Sequence, residues 1–498
     1  MTIHLYKKQP RNIFLKTWLL LSLSSMWLLI TGSLVKAQIP GAASPNADAP
    51  KKDEPAPDYL NPNANPLFFP TNPKEVDIRT VQPVTLNQAI ELALKNNKEL
   101  AQARLTVERA QAQLETERAA LLPSLQTQFD LTRTDSAVQQ RQNQRFNQNS
   151  PTIANNLDGQ VQLTYNLYTG GERAGRIKRA EKEVRRNQLL LEQTSEQTRF
   201  NATDSYYELQ RADARVAIAQ AAIEDATQSL RDAQLLEQAG LGTRFSVLQA
   251  EVDLANANQD LTTSISNQRI ARRRLAQILS LGQQVELTAA DEIREAGTWG
   301  LTLDDSIVLA YKNRSELEQQ LVQREISEQE RNIARSSITP KLDLLANYNV
   351  LNSFDDGLGF TDGYNVGARM TWVFFDGGAA FAREREANRN IDLADTQFAN
   401  LRNQVRFEVE QAYYGLVANR ENISTSAKSV ESATESLRLA RLRFQAGVGT
   451  QTDVINSQRD LTDARSRYLQ AIVDYNKSLN SLQRAVSNLP NNYLFTNP

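Results

Sequence analysis

The chain repeats itself, and the repeat restricts the fold more than any other feature. Val84-Thr-Leu-Asn-Gln-Ala-Ile returns as Leu301-Thr-Leu-Asp-Asp-Ser-Ile, 217 residues later, and Pro123 and Pro340 keep that spacing. Thr164-Tyr-Asn-Leu-Tyr-Thr-Gly-Gly then matches Thr371-Trp-Val-Phe-Phe-Asp-Gly-Gly at a spacing of 207. The same 207 relates Tyr206-Tyr207 to Tyr413-Tyr414, and Gly240-Leu-Gly-Thr to Gly447-Val-Gly-Thr. One ten-residue deletion between Pro340 and Thr371 accounts for the change. The chain is therefore a tandem duplication of one long unit, with a first repeat over 84–281, a connector over 282–300 and a second repeat over 301–489.

Each unit reads the same way. Thr85 with Gln88, and Thr302 with Asp305, are spaced as helix N-caps with capping-box partners. A helix is expected to run from each to the following Pro. Beyond Pro123 the period changes from helical to two: Leu125, Thr127, Phe129 and Leu131 alternate with Gln126, Gln128, Asp130 and Thr132. Val161, Leu163, Tyr165 and Leu167 form a second alternating run. In the second unit Leu342, Leu344, Ala346, Tyr348 and Val350 do the same, followed by Tyr364, Val366, Ala368, Met370, Trp372 and Phe374. These are four strands of about ten residues, in hairpins over 124–169 and 341–376 with polar loops at 133–158 and 352–362. After each Gly-Gly comes a proline-free helical stretch, 171–239 and 378–446, about 100 Å long at 1.5 Å per residue. A Gly-x-Gly-Thr turn reverses the chain into a return helix, 243–281 or 450–488. The two shorter helices of a unit together match the long one, so they can run antiparallel along it.

The N-terminus reads as a secretory signal over 1–37. Lys7, Lys8, Arg11 and Lys16 precede an apolar run over 18–30, and Val35-Lys36-Ala37 fits a cleavage site. The alternative is a membrane anchor, for which the run is short against the ~20 residues a span requires. Residues 38–83 hold ten of the sixteen prolines and are expected to be extended or disordered; residues 490–498 form a tail. Cysteine is absent, and the only histidine, His4, falls within the signal. That excludes thiol chemistry, His-dependent triads and nearly every zinc site, and argues against an enzyme, with a carboxylate-only active site still open. No cofactor is called for. Cleavage removes five basic residues and no acidic ones, so the mature chain is acidic and carries no basic footprint for nucleic acid.

Secretion together with strands that are apolar on one face and polar on the other fits a transmembrane barrel in contact with outer-membrane lipid. The other reading is a soluble hairpin packed on a core. Four strands are too few for a barrel, and an open edge cannot face lipid, so the barrel has to be shared. Two chains supply eight strands, whose interior side chains fill; three supply twelve, with room for a wet lumen.

Leu-Asn-Gln-Ala-Ile-Glu-Leu-Ala-Leu-Lys-Asn-Asn at 86–97, the Pro before each hairpin, the Gly-Gly after it, and Arg443-Phe-Gln-Ala-Gly-Val-Gly-Thr-Gln-Thr-Asp-Val together resemble the TolC family over residues 84–489. The resemblance implies a mainly α fold with a transmembrane β-barrel: a homotrimer with a shared 12-stranded barrel and a long antiparallel helical tunnel through the periplasm. It also implies a periplasmic adaptor and an inner-membrane pump that open and feed the tunnel end. On this resemblance the adaptor-contact tips are Gly240, Leu241, Gly242, Thr243 and Gly447, Val448, Gly449, Thr450. Glycine at positive φ and threonine as an N-cap explain these turns locally as well. Asp453 takes the place of an aspartate that lines the closed entrance, where three copies make an acidic, cation-selecting ring. Its position three residues after Thr450 also allows a capping box. The first unit has Ser246 at the matching place, while Asp253 and Asp460 match each other and either extend the lining or face solvent. The Tyr pairs read as helix packing. Two other functions fit less of the pattern: a helical tether between surfaces leaves the four strands unexplained, and an always-open porin leaves the ~100 Å helices unused.

Overall fold

The computed structural model describes residues 60–487 except 64, 66, 79, 283 and 356. The signal, the lead segment up to residue 59 and the tail lie outside the described residues.

A short strand opens the fold, β1 (Thr80–Val84), followed by α1 (Leu86–Asn96) and α2 (Lys98–Ala119). The hairpin β2 (Ser124–Asp135) and β3 (Ile153–Tyr168) carries α3 (Ala137–Phe146) in its loop. The long helix α4 (Glu172–Gln238), the return helix α5 (Arg244–Ile278) and β4 (Val285–Ala289) follow. The second unit repeats the plan with α6 (Leu303–Asn313), α7 (Ser315–Ser336), β5 (Lys341–Ser353), β6 (Phe360–Thr371), α8 (Ala379–Gln445) and α9 (Gln451–Val486).

Several sequence expectations are corrected. The first helix of each unit is broken. Asn97, at ψ 128°, ends α1, and its side chain caps α2 by accepting from the Leu100 amide. At the matching place Arg314 leaves helical geometry and sends its guanidinium into buried ion pairs. Neither second segment reaches the proline, because the residue before Pro avoids helical geometry. The strands run 12, 16, 13 and 12 residues rather than ten. They absorb much of the expected loops, and β6 stops before Trp372 and Phe374. Part of the lead segment is ordered too: β1 pairs in parallel with β4 of the connector, Thr80 opposite Val285.

The four long strands form one antiparallel sheet in the order β2-β3-β5-β6, so β2 and β6 each keep an unpaired edge. Register sorts the two faces. Leu125, Leu163, Ala346 and Val366 line up across the sheet, and the adjacent row reads Gln126, Gln162, Asn347 and Asn365. Gly159 lies opposite Phe129, and a Cβ there would sit 3.0 Å from the phenyl ring. The missing side chain is what lets the ring lie across the strand.

The helices continue the same order. Nearer the sheet α2, α4, α7 and α8 lie side by side; nearer the reversing turns the order is α5, α4, α9 and α8. At every level the chain is a layer of four elements, two from each unit, with one free edge in each unit. Two apolar cores hold the middle. Tyr206, Leu209, Leu275, Leu279 and Leu287 centre the first; Val405, Val409, Tyr475, Leu479 and Leu482 centre the second. Tyr206 and Tyr207 are buried as packing residues; in the second pair Tyr413 packs against the second core while Tyr414 is exposed. Among the described residues no helix is long and apolar enough to cross a membrane.

Candidate functional site

The two reversing turns are built alike. Gly240 and Gly447 follow the ends of α4 and α8 with φ of +71° and +72°, a region L-residues avoid. The next two amides fold back onto one carbonyl: Leu241 and Gly242 donate to Leu236 O at 2.9 and 2.8 Å, and Val448 and Gly449 to Arg443 O at 3.0 Å each. That fold presses the second glycine against the helix. A Cβ on Gly242 would lie 2.9 Å from the Glu237 nitrogen, and one on Gly449 3.1 Å from the Phe444 nitrogen. Thr243 and Thr450 then cap the returning helices, accepting from the Ser246 and Asp453 amides at 3.2 Å. Leu241 and Val448 project from the turns, both exposed.

The turns differ in chemistry. In the second, Asp453 completes a capping box: the Thr450 amide donates to its Oδ2 at 3.0 Å and the Thr450 hydroxyl at 2.8 Å. These donors hold the Asp453 carboxyl below its ordinary range. In the first, Ser246 Oγ lies 3.0 Å from Thr243 Oγ1 and brings no charge. Asp453, Asn456, Asp460 and Asp463 are all exposed on α9 at spacings of three and four, hence on one face. Asp253 does not mirror Asp460. It is largely buried and paired with Arg459 at 3.2 Å, so its charge is compensated. The structure thus groups Asp453 with Asp460 and sets Ser246 and Asp253 apart from them.

Sequence reasoning missed the seam that joins the two turns. On α9, Gln451 donates to Ser229 Oγ at 2.9 Å and Gln458 to the Asp225 carbonyl at 2.8 Å, both on α4. Arg441 of α8 pairs with Asp225 at 2.8 Å. A signal existed: the duplication replaces Asp225 with Ser432 and Arg459 with Val252, so these residues mark where the units stop being equivalent.

A buried ion cluster ties the far end of α9 to the start of α7 and to the interiors of α4 and α8. Arg484 of α9 reaches Glu316 of α7 at 2.6 Å and Glu196 of α4 at 3.4 Å; Arg314 reaches Glu316 at 3.0 Å and Glu408 of α8 at 2.8 Å. Burial pushes the Glu196 carboxyl up, with Ser487 and Arg484 only partly opposing it. Burial acts the same way on Glu316, but Arg484 and Arg314 together outweigh it and bring that carboxyl down. The cluster ties four helices from both units. Among the described residues no three His, Cys, Asp or Glu side chains gather as a metal site.

The family model for "Outer membrane efflux protein" matches residues 89–281 and 306–488. Among curated relatives, the outer membrane efflux protein BepC of Brucella suis is 26% identical over 196 residues, 38% of this chain and 41% of BepC. The alkaline protease secretion protein AprF of Pseudomonas aeruginosa is 25% identical over 199 residues, again 38% of this chain and 41% of the relative. The match therefore spans about two fifths of the length of each. A solved structure of CusC superposes with a TM-score of 0.71 at 16% identity, covering 86% of this chain and 99% of that one, which shows a shared fold.

Proposed function

The chain belongs to the outer membrane efflux protein family, and on that footing we propose that it is one third of a homotrimeric exit duct. Its place is the outer membrane, with the helical tunnel in the periplasm. The observation that carries the proposal is the sheet: four strands, one apolar face, and two edges left unpaired. An open edge is not tolerated in lipid, so β6 of one copy pairs with β2 of the next. That contact is head to tail, and a head-to-tail contact that closes forms a ring.

The duplication supplies the register of that pairing. Within the chain Val161 faces Tyr348 and Gln162 faces Asn347. Carried through the repeat, these pairs become Ala368 opposite Leu131 and Arg369 opposite Asp130 of the next copy. The first keeps two residues of the apolar face together, and the second pairs opposite charges. Three copies give twelve strands and a wet lumen.

In this duct the two turns dock a periplasmic adaptor that couples it to an inner-membrane pump, and Asp453 of each copy contributes to an acidic entrance ring backed by Asp460. Cargo passes without chemistry and is chosen by the pump and adaptor. The native sequence has no cysteine, so Leu131→Cys with Ala368→Cys tests the register directly. Oxidation in membranes is expected to give covalent dimers and trimers. Monomers alone would contradict the head-to-tail ring.

A further inference from the structure

The repeat extends upstream of its obvious start. Lys74-Glu-Val stands 217 residues before Asp291-Glu-Ile, which makes the end of the lead segment the counterpart of the connector. Inside the chain the connector seals the seam between the units. On α4, Tyr206 donates its hydroxyl to Asp291 Oδ2 at 2.7 Å and Gln210 donates to the Asp291 carbonyl at 2.9 Å. On α9, Asn476 donates to the Arg294 carbonyl at 2.9 Å and accepts from the Ala296 amide at 2.8 Å, and Tyr475 donates to Gly297 O at 2.6 Å. Ile293 and Ala296 pack against both cores.

The counterpart is tied along its backbone, through β1 to β4 and through Lys74 O to Gln284, but several of its apolar side chains are left exposed. Val76, the partner of Ile293 in the repeat, is 47% exposed, with Ile78 at 44% and Val81 at 50%. The surface it should meet is bare as well. The α4 residues Tyr207 and Gln210 correspond to Tyr414 and Val417 of α8; Tyr207 is 6% exposed, against 61% for Tyr414 and 55% for Val417. One uncovered apolar segment and one uncovered apolar helix face therefore occupy positions that the repeat relates to a seam already formed. They lie at opposite free edges of the layer, so a single chain cannot bring them together as the connector does at its own seam. A second copy can, by continuing the interface the two units already make.

We propose that Val76 and Ile78 of one copy seat on Tyr414 and Val417 of the next, sealing the seam between copies as the connector seals the seam between units. This rests on the head-to-tail ring proposed above. The test is Val76→Cys with Val417→Cys in the full chain, oxidised in isolated membranes alongside the Leu131→Cys, Ala368→Cys strand pair. Both pairs are expected to yield covalent dimers and trimers. Strand cross-links without 76–417 cross-links would overturn the seat and leave the ring standing. A 76–417 link confined to monomers would overturn the seat too, by placing both residues on one chain. Failure of both pairs would overturn the ring itself.

Discussion

The Thr450 amide and hydroxyl both donate to Asp453 Oδ2, so one carboxylate closes the helix cap and carries the charge that the proposed entrance ring requires. Asp453→Asn keeps an oxygen for the cap and removes the charge, whereas Asp453→Ala removes both. Both variants are expected to lower cation preference in a bilayer, but only the alanine is expected to speed hydrogen exchange at the Thr450 amide, which donates to the Asp453 side chain. Equal cation preference in the asparagine variant and the parent would take Asp453 out of the ring. At Gly240 and Gly447 the left-handed backbone sets the cost: alanine at either is expected to destabilise its turn by about 1 kcal/mol. Protease cleavage rates at the turn measure that loss. The turns were legible in the sequence because glycine spacing and an N-cap leave a local signature. The Asp253–Arg459 pair was not, since it joins residues 206 positions apart and depends on how α5 meets α9.

Among the elements, α9 depends most on one residue. Arg484→Met leaves Glu196 and Glu316 buried without their shared partner, and loss of one member of such a cluster costs about 3–5 kcal/mol. Thermal unfolding of the purified protein reports it as a lowered Tm. The two glutamates should also answer pH with opposite signs. Glu196 is raised in the folded state, so its contribution is full in acid and lost as pH rises through its elevated pKa. Glu196→Gln should therefore gain stability relative to the parent on going from mildly acidic to neutral buffer. Glu316 is lowered, so its contribution is lost only as pH falls below the ordinary carboxylate range, and Glu316→Gln should lose stability relative to the parent on going from strongly to mildly acidic buffer. Identical pH trends for the two would contradict the assignment. The long helices and alternating strands could be read from period and punctuation alone. The break at Asn97 could not, because nothing between residues 86 and 119 interrupts a good helical sequence. It is produced by the cap onto Leu100 and by the Asn97 side chain donating to Ile278 O at 3.2 Å, from a helix end 181 residues away.

For the whole molecule the duplication explains why one chain ends in two open edges. Two copies of a unit give a layer four elements wide, and its free edges are β2 and β6 in the sheet and α5 and α8 near the turns. Exposed apolar residues lie along both, with Phe129 and Phe245 on one edge and Tyr364, Phe407 and Leu442 on the other. A folded chain seldom leaves so much apolar surface in water unless a partner covers it. Single-channel conductance of the purified, folded protein in a planar bilayer tests the duct most directly. The account predicts a small, cation-selective conductance that grows and loses selectivity in Asp453→Ala. Absence of any conductance from protein shown to be trimeric would contradict it, and would leave a helical tether as the better description.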